Sequence, residues 1–119
     1  MKRVLWVSRH EMTPEQKRDL DRVMDDEVEL TAYRETVQDM KILLPLIQKA
    51  DAVAVVLPPD ILQELLSVVG EKPVLRAIPR RIPTENTRVL SDGRQEPIFQ
   101  FVHDGWEQVL SIEIKTRRL

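Results

Sequence analysis

Residues 52 to 57, Ala-Val-Ala-Val-Val-Leu, form an unbroken apolar run between Asp51 and the Pro58-Pro59 pair. The run is too short for a buried helix and lacks the polar alternation of a strand with one wet face. It predicts a strand at the centre of a sheet covered on both sides. Such a sheet takes parallel neighbours, with crossover helices as the cover.

The flanking sequence supplies those neighbours. Residues 3 to 8, Arg-Val-Leu-Trp-Val-Ser, read as a second buried strand. Thr13-Pro14-Glu15-Gln16 then combines an N-cap hydroxyl, a proline at the first helical position and a Gln able to reach back to the cap's own N–H. The helix it opens carries Leu20, Val23 and Met24 as its apolar stripe, leaves Lys17, Arg18, Asp19, Asp21 and Arg22 to water, and ends near Asp25. A strand is expected over Val28 to Thr31. Residues 36 to 50 have helical spacing through Val37, Met40, Leu43, Leu44, Ile47 and Ala50, but Pro45 removes a backbone donor and demands a kink or a fresh helical start. Pro58-Pro59-Asp60 opens another helix, Gly70 is its left-handed stop, and Val74 to Ile78 is the fourth strand.

The order is βαβαβαβ, which predicts an α/β fold: a Rossmann-like parallel sheet with helices on both faces. Beyond it, Arg88 to Leu90, Ile98 to Val102 and Glu107 to Lys115 are strand-like runs separated by Asp92-Gly93 and Asp104-Gly105, so an antiparallel β meander is expected to extend the sheet. In its last strand Leu110, Ile112 and Ile114 alternate with polar residues; a helical turn over Gly105 to Leu110 is the competing reading. No linker or repeat divides the 119 residues, so one domain is expected, with a parallel α/β core over 1–82 and a β extension over 83–119.

Composition narrows the function classes. The absence of Cys excludes a disulfide framework, a thiol nucleophile and cysteine-bound metal, and fits a reducing cytoplasm. With His10 and His103 the only histidines and no metal-ligand spacing, neither a metal nor another cofactor is expected. A net charge of −2 argues against general nucleic-acid binding, although residues 1–71 hold 9 basic against 14 acidic side chains and residues 72–119 hold 9 against 6. No apolar run approaches membrane-spanning length.

In an open parallel sheet, ligands bind beyond the C-terminal strand ends, where helix N-termini present free N–H groups. That rim is expected to hold Ser8, Arg9, His10, Glu11, Met12 and Thr13 after the first strand, Tyr33 and Arg34 after the second, Pro58, Pro59 and Asp60 after the third, and Pro79, Arg80 and Arg81 after the fourth. Arginines, hydroxyls and a histidine on one edge suit phosphate. The consecutive Arg80 and Arg81 point to opposite faces if extended, so only one of them is expected to enter a site. No G-x-G-x-x-G and no P-loop occurs, which removes the usual support for dinucleotide or Walker-type nucleotide binding. Ser8 and His10 are a weak nucleophile and base pair, with no third residue to orient them. Trp6 and Trp106 read as core or interface anchors.

Val4-Leu5-Trp6-Val7-Ser8-Arg9-His10-Glu11-Met12-Thr13-Pro14-Glu15-Gln16 resembles the start of small CRISPR-associated Rossmann-like proteins, the standalone relatives of CARF domains, several of which are ring nucleases. The resemblance covers about the first sixteen residues, with looser agreement at Leu57-Pro58-Pro59-Asp60. It implies a homodimer that binds cyclic oligoadenylate or a related nucleotide and, if it is an enzyme, cleaves it without metal by attack of the ribose 2′-hydroxyl on the neighbouring phosphate. Ser8 and His10 match the family's loop and are the catalytic candidates, with Arg9 an added cation. Binding without turnover is equally compatible. The alternative is a non-enzymatic interaction or ligand-sequestering module of the kind a phage or mobile element encodes.

Overall fold

The computed structural model describes residues 1–113 and 115–119. Its elements run β1 (Lys2–Val7), α1 (Pro14–Met24), β2 (Val28–Tyr33), a 3₁₀ turn (Met40–Ile42), α2 (Leu44–Lys49), β3 (Ala52–Val55), α3 (Pro59–Val68), β4 (Val74–Val89) and β5 (Gln95–Gln108). The chain is therefore mixed α/β, with one five-stranded sheet in the order β2-β1-β3-β4-β5, parallel except for the antiparallel β4–β5 pair. The apolar run 52–57 supplies the middle strand, as its composition requires. Among the described residues no helix is long and apolar enough to cross a membrane.

Alternate residues of the buried strands serve opposite faces. Leu5, Val7, Val53 and Val55 pack with Ile47 of α2 and Leu62 and Leu65 of α3, while Val4, Trp6, Ala52 and Ala54 pack with Leu20 of α1. Both sides of Val4–Val7 in β1 and of β3 are thus dry, the condition that lets these stretches carry no polar residue. The caps follow from local chemistry. Thr13 Oγ1 accepts from the Gln16 N–H at 3.1 Å while Gln16 Oε1 accepts from the Thr13 N–H at 2.9 Å, and Asp25 closes α1 in a left-handed conformation. Pro45 occupies the first turn of α2, a fresh start rather than a kink, so helical structure within 36–50 shrinks to α2 and the preceding 3₁₀ turn. Gly70 follows α3 with φ 65°. On α1, Val23 is exposed and Leu20 alone is buried, so the core-facing stripe is narrower than expected.

The C-terminal part departs from the expected meander. Two long strands replace three short ones: β4 continues unbroken from Val74 to Val89, and β5 absorbs the second run and the start of the third. Asp92-Gly93 does turn the chain. Gly93 N–H bonds to Leu90 O at 3.0 Å and Leu90 N–H to Arg94 O at 2.7 Å, a three-residue hairpin loop whose Gly93, at φ 86°, takes the left-handed position. Asp104-Gly105 does not turn. Between the pairs Ala77↔Trp106 and Pro79↔His103, one residue of β4 faces both Asp104 and Gly105, which makes a β-bulge with Gly105 at φ 125°. A turn would have required β5 to leave the ladder, whereas Trp106 stays in it by packing edge-on against Trp6 at 6.2 Å and donating its indole N–H to Gln16 O at 3.1 Å. The helical turn over Gly105 to Leu110 gives way to the end of β5 at Gln108, and the third strand-like run stops there, since residues 109–113 and 115–119 form neither strand nor helix; Ile114 lies outside the described residues. β4 pairs with β3 only at Val74 and Leu75, so the ribbon beyond is an arm. The radius of gyration is 17.4 Å, where a compact chain of this length would have about 13.5 Å.

Candidate functional site

The parallel strands β1 and β3 point their C-terminal ends the same way, and the chain leaves them in opposite directions, β1 towards α1 and β3 towards α3. Beside this point is a cavity of about 940 Å³. Its walls are the first turns of α1 (Thr13 to Gln16, and Arg18), the end of β3 with the residues that follow (Val55 to Leu57), β4 from Arg76 to Pro79, and β5 at Gln100 to His103 and Glu107. Pro14, Val56, Leu57, Ile78, Pro79, Phe101 and Val102 make most of this lining apolar.

The polar groups on the lining differ in how free they are. Arg76 is committed to Glu107, with Nη2 at 2.7 Å and Nε at 2.8 Å from Oε1. Thr13 and Gln16 satisfy each other in the capping box, and Pro14 has no N–H, so of these first residues of α1 only Glu15 keeps an uncommitted donor. The anion-binding capacity of this helix start is therefore largely consumed by its own cap. Arg18 makes no ion pair among the described residues.

His103 differs from all of these. Its side chain is only 8% exposed, Nε2 lies 2.8 Å from Asp19 Oδ2, and Nδ1 is buried with no partner among the described residues. A proton on Nε2 suits this geometry, because that nitrogen faces a carboxylate and leaves Nδ1 a bare acceptor. Asp19 is held on its other side by Arg22 Nε at 2.7 Å. The Arg22 guanidinium first, and then the His103 ring, keep the Asp19 carboxyl below its ordinary value. The cavity thus offers an apolar body and one free cation, while both ring nitrogens of His103 are out of a ligand's reach, Nε2 on Asp19 and Nδ1 buried. Its one hydroxyl, on Thr13, already caps α1, so the lining suits binding better than covalent chemistry.

Of the residues expected on the rim, Thr13 and Pro79 line this cavity. Ser8 is 3% exposed; its Oγ accepts the His10 N–H at 3.1 Å, and its own N–H bonds to Tyr33 O at 3.1 Å, so it shapes the loop after β1. His10 and Arg9 are exposed, and the His10 carbonyl accepts the Trp6 indole N–H at 2.8 Å. Arg34 meets this loop through Glu11 Oε1 at 3.0 Å. Tyr33 is half-buried against the core, and Pro59 is the first residue of α3. Arg80 and Arg81 are carried away on the arm, where the Arg81 guanidinium sits over the Phe99 ring at 4.0 Å. The structure therefore joins Ser8, Arg9, His10, Tyr33 and Arg34 at the ends of β1 and β2, and does not bring Arg80 or Arg81 into the cavity lining. Sequence reasoning misses Arg18, Phe101 and His103, because it leaves Arg18 to water and ends the strand over Ile98 to Val102 in a turn at Asp104-Gly105, where β5 instead runs on to Gln108. No protein-family model, curated protein or solved structure matches this chain.

Proposed function

We propose that this chain is a nucleotide-binding protein of Rossmann-like architecture, acting in the cytoplasm, with cyclic oligoadenylate the specific ligand to test. The observation that carries the reading is the cavity at the C-terminal ends of the parallel strands, apolar over most of its wall and edged by the unpaired Arg18. A purine ring fits such walls, since its two faces are apolar and can lie against Val56, Ile78 and Phe101. The phosphates then lie towards Arg18 and the exposed loop bearing Arg9 and His10, where charge-assisted hydrogen bonds are available.

Binding is the primary activity in this reading. Cleavage by a ribose 2′-hydroxyl asks only that the protein hold that oxygen in line with the phosphorus, so slow turnover is compatible with a lining whose one hydroxyl is occupied. Calorimetric titration with cyclic tetra-adenylate, cyclic hexa-adenylate and AMP tests the reading, with the mixtures then separated for products with and without chelator. Saturable heat with a cyclic oligoadenylate supports it, and linear products insensitive to chelator add ring-nuclease activity. No heat with any of the three overturns it in favour of the interaction module, a second reading favoured by the projecting arm.

A further inference from the structure

The arm is a two-stranded ribbon, and such a ribbon is marginal in water unless further strands join it. Its two outer edges differ. Proline cannot donate to a ladder, so Pro79 and Pro83 of β4 sit where their nitrogens face away from β5. This puts Pro79↔His103, Arg81↔Phe101 and Pro83↔Phe99 at non-hydrogen-bonded positions, and on each strand the backbone groups of these residues face outwards. On the β4 edge two of the outward nitrogens are therefore prolines and carry no N–H. On the β5 edge the outward residues are Phe99, Phe101 and His103, all able to donate, bounded by Pro97 at one end and the Gly105 bulge at the other. β5 is also the outermost strand of the sheet.

Between Pro97 and the Gly105 bulge this open edge is unprotected. Ile98-Phe99-Gln100-Phe101-Val102 carries no charge, no proline and no lysine, and Phe101 at its centre is 68% exposed. We propose that it pairs with the same edge of a second copy, antiparallel about a two-fold axis through Phe101. In that register Phe101 faces Phe101 of the other copy, Phe99 faces His103, and Gln100 faces Val102. Each outward N–H finds a carbonyl, and no like charges meet. A second copy is favoured over a foreign strand because the run is bounded symmetrically about Phe101 and is complementary to itself. The two ribbons become a four-stranded sheet. Gln100 to His103 also wall the cavity, so the two cavities of the dimer flank the axis.

Sedimentation equilibrium without nucleotide tests this independently of any ligand. The wild type is expected at twice the 13.9 kDa chain mass at micromolar concentration, with the Phe101 amide protected from hydrogen exchange in the dimer. Phe101→Pro deletes the central outward donor and should halve the mass while the far-UV spectrum and cooperative melt persist. Should that variant fail to fold, Phe101→Lys decides, since it keeps the backbone and sets like charges against each other across the axis. A monomeric wild type overturns the proposal, as does a folded Phe101→Lys that remains dimeric.

Discussion

Asp19 and His103 are 84 residues apart in the chain, yet Asp19 Oδ2 and His103 Nε2 lie 2.8 Å apart and fasten the root of the β4–β5 arm to α1. The contact is sheltered by Trp106, whose ring centre is 5.7 Å from that of His103. Removing the ring leaves a void beside Trp106 and an under-satisfied Asp19. His103→Ala is therefore expected to cost about 2 kcal/mol. Urea denaturation measures this; an unchanged midpoint would show that the contact does not hold the arm.

The same carboxylate makes stability depend on acid. Asp19 is lowered from its ordinary value of 3.8 by Arg22 and then His103, and Asp21 is lowered chiefly by Lys17, whose Nζ is 2.8 Å away, with help from the Val28 N–H. A carboxyl lowered in the folded state contributes stability that is present above its unfolded value and is lost as pH falls through the folded one. The melting temperature should hold from neutral pH down towards 4 and fall below that. Asp21→Asn should shallow the acid limb, and an identical limb in that variant would assign the acid sensitivity elsewhere.

Val53 on the middle strand has no exposed surface and packs between β1 and the α2–α3 layer. A carboxylate placed there has no partner, and burying it costs several kcal/mol, about the whole stability of a small domain. Val53→Asp is expected to abolish soluble expression or cooperative melting. A soluble variant with a normal melt would contradict the buried position of β3.

Arg18 and the loop bearing Arg9 and His10 test the ligand reading residue by residue. Arg18→Ala, Arg9→Ala and His10→Ala are each expected to weaken cyclic tetra-adenylate binding by about 1.5 to 3 kcal/mol where a charge-assisted hydrogen bond to phosphate is lost. All these side chains are exposed, so the melts should match the wild type. Unchanged affinity in Arg9→Ala and His10→Ala together would remove that loop from the site, and unchanged affinity in Arg18→Ala would remove the cavity.

The sequence by itself determined what depends on near neighbours. The apolar run 52–57 supplies the middle strand over Ala52–Val55, Thr13 to Gln16 form a capping box, Pro45 restarts a helix, Gly70 ends one and Asp92-Gly93 makes a hairpin turn, because each rests on interactions within a few residues or on a local burial pattern. Tertiary structure decided the rest. Asp104-Gly105 has the same composition as Asp92-Gly93 but becomes a bulge, since Trp106 gains more by packing on Trp6 and reaching Gln16 than the chain gains by turning. The decision about that dipeptide draws β5 into one long strand, carries Arg80 and Arg81 onto the arm, and brings Phe101 and His103 to the cavity. None of it is visible in local pattern, because the partners of Trp106 and His103 lie on β1 and α1, at the far end of the chain.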